Sequence, residues 1–335
     1  MTRTSRPTMN DVARAAGVSQ TTVSLVLNQV ANVSIPDETR ARVTEAARDL
    51  GYRPNRSARS LRTRSSHLVG FITDAIATSP FAGSIIEAAQ DVAVEHGKLL
   101  MLANTGGNRD IERTAIGTLL EHQVEALMIA AMYLREVEPP PHIDEVPSVY
   151  VNCFTKSEDS TAFIPDEVYG GHAVTRLLLD RGHQRIAFIN GERSFLASRA
   201  RFEGYLRALT EEDLPLAEEL VSYGSWWPDN GYDNTKRLLA LRNPPTAIFC
   251  GNDRIAVGAY LALKEANRSI PGDVAVVGYD GEEIGGHLRP ALSTFTLPHA
   301  EMGAAGMRFL LAATAGEEPR GHVRVRGRFI ERASA

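Results

Sequence analysis

The first fifty residues place apolar side chains at helical spacing, broken where polar or flexible residues would end a helix. Val12, Ala13 and Ala16 share one face of a segment that Thr8 and Asp11 can cap, so a helix is expected from about Met9. Gly17 supplies the backbone freedom of a sharp turn. Ser19 is a good N-cap for a second helix, with Val23, Val26 and Leu27 inward and Gln20, Thr21, Ser24 and Leu25 outward. Pro36 to Leu50 predicts a third helix, with Asp37 and Glu38 in its first turn and Gly51 just past its end. Two short helices around a tight turn are the pattern of a helix-turn-helix DNA reader, although an ordinary helical hairpin satisfies it as well.

From His67 onward, short apolar runs alternate with amphipathic stretches. Strands are expected at Leu68–Thr73, Leu99–Ala103, Ala126–Ala130, Ser148–Val151, Arg185–Asn190, Thr246–Cys250 and Val274–Gly278. Helices fit between or after them at Ile85–His96, Ile111–His122, Gly170–Asp180, Arg199–Thr210, Asn230–Leu241, Ile255–Ala266 and His299–Ala315. Repeated strand–helix units imply parallel sheets with helices on both faces. At 335 residues and 43% hydrophobic content, the chain exceeds one typical domain and can bury a large core.

Charge divides the chain more sharply than its overall balance suggests. Residues 1–66 hold 11 Arg, no Lys and 5 acidic residues, a net of +6, so the whole-chain −5 leaves −11 for the remainder. A basic head on an acidic body suits a nucleic-acid partner, because phosphate neutralisation needs a local positive field rather than a global one. The start of the chain lacks the apolar stretch of a signal peptide and no long uncharged apolar run follows, so a cytoplasmic protein without membrane contact is expected. Cys153 and Cys250 lie far apart in strand-like runs, without metal spacing, and are read as packed thiols.

After the third helix comes a basic segment, Arg53 to Arg64, in which Leu61 is the single large apolar side chain. The order helix-turn-helix, third helix and GY-x-PN-x-x-A-R-x-L resembles the lactose-repressor/galactose-repressor (LacI/GalR) family of bacterial transcription regulators. Similar blocks recur at Leu68–Thr73, Arg181–Ile189, Pro245–Asp253 and Val274–Asp280, so the resemblance spans essentially the whole chain. It implies an α/β fold: an N-terminal all-α helix-turn-helix head (1–52), a hinge helix or linker (53–66) and a two-lobed, periplasmic-binding-protein-like body with parallel sheets (67–335). Lobe one would be about 67–166 and 295–322, and lobe two about 167–294 and 323–335.

The same resemblance assigns DNA contacts to Ser19, Gln20, Thr21, Thr22, Ser24, Leu25, Asn28, Tyr52, Asn55, Ala58, Arg59, Leu61 and Arg62. Gln can pair with adenine, Ser and Thr with a base or phosphate, and Leu only with an apolar edge such as a thymine methyl. Leu61 would wedge into the minor groove, and the segment carrying it could equally be a basic linker that orders only on DNA. Leu25 stands where relatives often carry Arg or His, so their operator sequences do not transfer.

For the body, the resemblance places Phe81, Arg201, Trp226, Asn252 and Asp280 against a small-molecule effector. A carboxylate and a guanidinium facing one cleft can each hold adjacent hydroxyls, and an aromatic face suits a sugar's C–H side or a flat base. Core packing is the alternative for Phe81, and a structural salt bridge for Arg201. Asp253 is read as a cap before Ile255, Trp227 as packing and His183 as structural. Three departures shape the effector reading: Pro165 replaces an acidic residue that Asp166 cannot be assumed to restore, and Phe195 and Ala197 replace polar contacts of purine-responsive relatives.

Neither phosphate-binding glycine loops nor nucleophile or zinc-enzyme motifs are present, so no enzyme, cofactor or metal is expected. The reading is a cytoplasmic, sequence-specific DNA-binding repressor, acting as a homodimer on pseudo-palindromic double-stranded DNA and controlled by a small-molecule effector, a sugar. Its alternatives are a purine- or nucleoside-responsive regulator of the same family and a cytosolic sugar-binding protein without a DNA role.

Overall fold

Thr8 and Asp11 do form a reciprocal cap: the Thr8 hydroxyl accepts from the Asp11 amide at 3.3 Å, and the Asp11 carboxylate accepts from the Thr8 amide at 2.9 Å. The structure is a computed structural model, describing residues 7–28, 33–52, 65–79, 81–157, 159–314 and 321–335. It divides at Ser66 into two units. The first holds α1 (Met9–Ala16), α2 (Gln20–Leu27) and α3 (Asp37–Asp49). Gly17 adopts φ +65° between α1 and α2, a conformation that costs a side-chain-bearing residue energy. Val12, Val23 and Val43, one from each helix, are completely buried at the centre, with Tyr52 partly covering them. Arg40 donates to the Ile35 and Val33 carbonyls, fastening the chain that enters α3.

The second unit contains two six-stranded sheets. The first has the order β11-β5-β4-β3-β1-β2, formed by β1 (Leu68–Thr73), β2 (Leu99–Asn104), β3 (Ala126–Glu136), β4 (Ser148–Phe154), β5 (Thr161–Pro165) and β11 (Gly321–Val325). The second has the order β12-β10-β9-β8-β6-β7, formed by β6 (Ile186–Asn190), β7 (Val221–Tyr223), β8 (Ala247–Cys250), β9 (Ala275–Asp280), β10 (Ser293–Thr296) and β12 (Phe329–Ile330). Every described strand pair is parallel except β10–β12. Helices α4 (Gly83–Glu95), α5 (Arg109–Glu121) and α11 (His299–Ala313) belong to the first lobe. Helices α6 (Glu167–Asp180), α7 (Leu196–Glu211), α8 (Pro228–Leu239) and α9 (Asp253–Glu265) flank the second sheet, and the short α10 (Glu283–His287) follows β9.

Strand alternation explains the two-sided cover. In β6, Ile186 and Phe188 pack with Val174, Leu178 and Tyr205 on the α6/α7 side, while Ala187 and Ile189 pack with Leu238 and Leu263 on the α8/α9 side. The chain crosses between lobes after β5, after β10 and after β11. The second crossing therefore falls near 297–298 and the third near 326–328, a few residues beyond the expected 295 and 322, because Phe295 and Thr296 still pair with β9 and Val323–Val325 with β5. Five strands escaped the periodicity reading. In β10, polarity hid a buried strand: Thr294 donates to Asp253 at 2.6 Å and the Ser293 hydroxyl accepts from the Arg332 amide at 3.0 Å.

Helices α6 and α7 cross so closely that a Cβ on Gly204 would lie 2.1 Å from the Val168 carbonyl oxygen, and one on Gly171 2.2 Å from that of Arg201. This contact sets where Glu167 and Arg201 meet. Because backbone would have to yield, Gly204→Ala should lower the unfolding free energy by about 2 kcal/mol, measured as a reduced urea midpoint. An unchanged midpoint would mean that the helices separate without cost.

Candidate functional site

In the head, α2 presents its first turn outward. Ser19, Gln20 and Thr21 are exposed, whereas Thr22, Ser24, Leu25 and Asn28 are half-buried. Ser19 caps the helix through the Thr22 amide at 3.1 Å, and Asn28 donates to the Ser24 carbonyl at 2.7 Å and to its hydroxyl at 3.2 Å. Ser19 with Thr22 and Ser24 with Asn28 thus form two bonded pairs along α2 and its caps, while Gln20 and Thr21 are exposed. Asn55, Ala58, Arg59, Leu61 and Arg62 lie outside the described residues.

In the body, Phe81, Arg201, Trp226, Asn252 and Asp280 line a single cavity between the lobes, at the carboxyl ends of the strands, where open α/β sheets bind ligands. Its centre is Arg201, whose side chain is 3% exposed. Arg201 Nε and Nη2 donate to the two Glu167 carboxylate oxygens at 2.8 and 2.9 Å, and Nη1 donates to the Gly251 carbonyl at 2.5 Å. Nη2 also lies 3.3 Å from Asp280 Oδ1. The guanidinium sits 3.8 Å from the Tyr279 ring centre and 5.5 Å from that of Trp226. Burial opposes its charge, but Glu167 and Asp280 outweigh burial and hold the pKa above the ordinary value. Arg201 thus forms the structural ion pair that the sequence offered as an alternative, and it does so while lining the cavity.

Asp280 ends β9 at φ +95°, followed by Gly281 at +75°. A non-glycine residue there costs of order 1–3 kcal/mol. Its side chain is 4% exposed, and Oδ1 makes no hydrogen bond among the described residues. Burial pushes this carboxyl up to about 7, only partly opposed by Arg201.

Asn252, rather than Asp253, caps α9: its Oδ1 accepts from the Ile255 amide at 2.8 Å, and its Nδ2 donates to the Trp226 carbonyl at 3.2 Å. Asp253 was expected to cap, but burial leaves its carboxylate instead accepting from the Glu282 amide and the Thr294 hydroxyl, both at 2.6 Å. Trp226 lies so close to Gly191 that a Cβ there would be 2.1 Å from the indole, and its buried Nε1 has no partner among the described residues. Trp227 is 59% exposed, with the Arg254 guanidinium 5.1 Å from its ring centre.

Several lining residues carried no sequence signal. Tyr133 is brought in by a register shift of β3 against β4 between Ala130 and Arg135, and its ring meets Phe195 edge-on at 5.3 Å across the cleft. Arg254 pairs with Glu282 at 3.0 Å and lies 5.6 Å from the Phe81 ring centre, again across the cleft. Asp166 stays out of the cavity, capping α6 and facing Arg326 at 3.4 Å, and the carboxylate that reaches the cleft is its neighbour Glu167. His183 bonds Thr246 at 2.9 Å and is partly buried in the second lobe.

The profile of bacterial regulatory proteins of the lacI family matches residues 8–55, and that of the periplasmic binding protein-like domain matches 175–335. The HTH-type transcriptional repressor PurR of Edwardsiella ictaluri (strain 93-146) is 32% identical over 98% of this chain and 96% of its own. The chain belongs to the lacI family of bacterial regulatory proteins. Among solved members, the Lac repressor dimer bound to operator and the anti-inducer ONPF superposes with a TM-score of 0.83 at 28% identity, covering 98% of this chain and 99% of that one. The CelR–cellobiose complex gives 0.67 at 30% identity over 98% and 100%. As a lacI-family chain it is a DNA-binding transcriptional regulator with an α/β two-lobed body. None of its described helices is long and apolar enough to cross a membrane.

The raised carboxyl of this lacI-family cleft has a signature in stability. An ordinary aspartate releases its proton near 3.8, whereas Asp280 keeps it to about 7 in the fold. Between those values the folded state binds more protons than the unfolded one, so this group's contribution is present at low pH and is lost as pH rises toward 7. Compared with Asp280→Asn, which cannot titrate, the wild-type Tm should fall progressively across that window and run parallel above it. A difference independent of pH between about 4 and about 7 would show an ordinary aspartate.

Proposed function

We propose that this chain is a repressor that binds a pseudo-palindromic operator as a homodimer and is controlled by a neutral carbohydrate in the interlobe cleft. The observation that carries the effector reading is the pairing of a buried, incompletely bonded Asp280 carboxylate with the Trp226 ring on one cavity wall. Hydroxyls supply donors for the first, and the C–H face of a sugar ring covers the second. Both arginines that line the cavity among the described residues are already paired, Arg201 with Glu167 and Arg254 with Glu282, which disfavours a phosphate there. A solved member of the family at 30% identity is described as a cellobiose complex.

A purine effector is the second reading, favoured by the PurR relatives at 32% identity. Against it, Phe195 and Ala197 bring apolar surface to the cavity where hydrogen-bonding groups would read a base. Dimer formation is supported by the edge strand β2 and its flanking helices, where Val94, Leu99, Leu102 and Ile111 are each at least 41% exposed.

On this reading residues 53–66 are the hinge, Leu61 is the minor-groove wedge, and the exposed Gln20 and Thr21 read bases or phosphates. Control is a linkage: a metabolite that alters lobe closure changes DNA affinity, and DNA must change metabolite affinity by the same factor. A thermal-shift screen against sugars, sugar phosphates, nucleosides and purine bases should give a rise with neutral sugars that is lost in Asp280→Ala. A response confined to purines would transfer the assignment to the second reading. Separately, Leu61→Ala should reduce operator affinity by more than about tenfold, about 1.4 kcal/mol, and reduce DNA bending in a circular-permutation gel. Unaltered bending would remove the wedge.

A further inference from the structure

Much of the space between the lobes is taken by rings that the chain supplies from both sides. Phe81 and Tyr133 come from the first lobe and Phe195 and Trp226 from the second, and the volume left among them is about 40 Å³, room for roughly two or three waters. The rings form a continuous series. Phe81 lies 6.4 Å from Tyr133, Tyr133 meets Phe195 edge-on at 5.3 Å, and Phe195 meets Trp226 edge-on at 5.9 Å. Within this series the middle contact is the one that crosses from lobe to lobe.

Both partners of that contact are mounted on fixed backbone. Tyr133 sits in the irregular stretch of β3, where buried Asn152, at φ +55°, donates from Nδ2 to the Ala131 and Met132 carbonyls at 3.0 and 3.1 Å. Asp74 Oδ1 accepts from the Met132 amide at 3.0 Å, and its Oδ2 pairs with Arg135 at 2.7 Å. The residues flanking Tyr133 are therefore tied down. Phe195 immediately precedes α7, its amide donates to the Glu192 carbonyl at 3.1 Å, and its ring is backed by Trp226, which in turn lies against Gly191. With both rings held from behind, the contact breaks by separation of the lobes rather than by rotation of either side chain.

We infer that Tyr133 and Phe195 are a latch that holds the interlobe cleft shut on the protein's own side chains, and that Asp74 and Asn152 set the latch by positioning Tyr133. An edge-on ring pair is worth a factor of about two to ten in a two-state equilibrium, so the latch biases the lobes toward closure without locking them. A molecule entering the cleft competes with this contact, and its apparent affinity is reduced in proportion to the fraction of protein in which the latch is open. Asp74 acts from outside, since it does not line the cleft cavity. The latch stands on these contacts alone, and its consequence for DNA rests on the linkage proposed above.

The test places a reporter thiol in the full-length chain. Cys153 and Cys250 are completely buried, whereas Ala197 lines the cavity, so Ala197→Cys supplies a thiol whose rate of labelling by a maleimide follows the open fraction. Tyr133 is 39% exposed, so replacing it spares the core. In that background Tyr133→Ala should raise the labelling rate about two- to tenfold, and Tyr133→Phe, which keeps the ring, should leave it unchanged. Asp74→Ala should raise it too, whereas Asp74→Asn, which keeps the acceptor for the Met132 amide, should not. A rate unaltered by Tyr133→Ala would overturn the latch, and one unaltered by Asp74→Ala would remove Asp74 as a positioning residue. On a DNA fragment selected by the wild-type protein from a random-sequence pool, Tyr133→Ala and Phe195→Ala should each shift the Kd about twofold or more in the same direction, and the double variant no further than either. Independent, multiplying effects would overturn the latch. A raised labelling rate with unaltered DNA affinity would leave the latch standing and overturn the linkage.

Discussion

A guanidinium removed from water costs several kcal/mol unless its donors are met, and the second lobe is arranged around meeting those of Arg201. Four groups from three segments converge on it: Glu167 at the start of α6, the Gly251 carbonyl after β8, and, at the end of β9, Asp280 with the Tyr279 ring beside it. Each arrangement has a local cause. Helices α6 and α7 touch backbone to backbone through Gly171 and Gly204, which brings Glu167 and Arg201 together. The positive φ of Asp280 accompanies a carboxylate held beside Arg201 rather than in solvent. The cleft wall of this lobe is consequently tied together by ion pairs and close backbone contact before any ligand is considered.

The first lobe contributes differently. Its cleft face is made by Phe81, Met132 and Tyr133 with His299 behind them, groups that supply shape and a neutral imidazole instead of fixed charge. Tyr133 against Phe195 and Arg254 against Phe81 are aromatic contacts between lobes, worth about 0.5–1.5 kcal/mol each. Contacts of that size hold two bodies together while leaving them separable by a ligand of ordinary affinity. The division of labour is chemical: one lobe carries the fixed charge, and the other supplies aromatic shape.

Much of this was legible in the chain. The apolar stripe of Val12, Val23 and Val43, the capping pair Thr8 and Asp11, and the seven strand-like runs all follow from local periodicity and local hydrogen bonding, which sequence records directly. Resemblance supplied five cavity residues that propensity alone could not group, since they come from a helix, a strand end and loops up to about two hundred positions apart. Illegible were features set by tertiary partners. Nothing near Thr294 announces the buried Asp253 that lets a Ser/Thr-rich strand enter the core. Nothing near Tyr133 announces the register shift that turns it into the cleft. Glu167 reads as an ordinary first-turn acid until Arg201 is placed against it.

The two tryptophans of the chain both border this region, Trp226 within the cavity and Trp227 exposed beside Arg254. One indole is sheltered and next to a guanidinium, and the other is open to water, so their emission should differ in wavelength and in access to dissolved quenchers. With no further indole elsewhere in the sequence, the intrinsic fluorescence of this protein is an undiluted optical record of its cleft, readable without attaching a label.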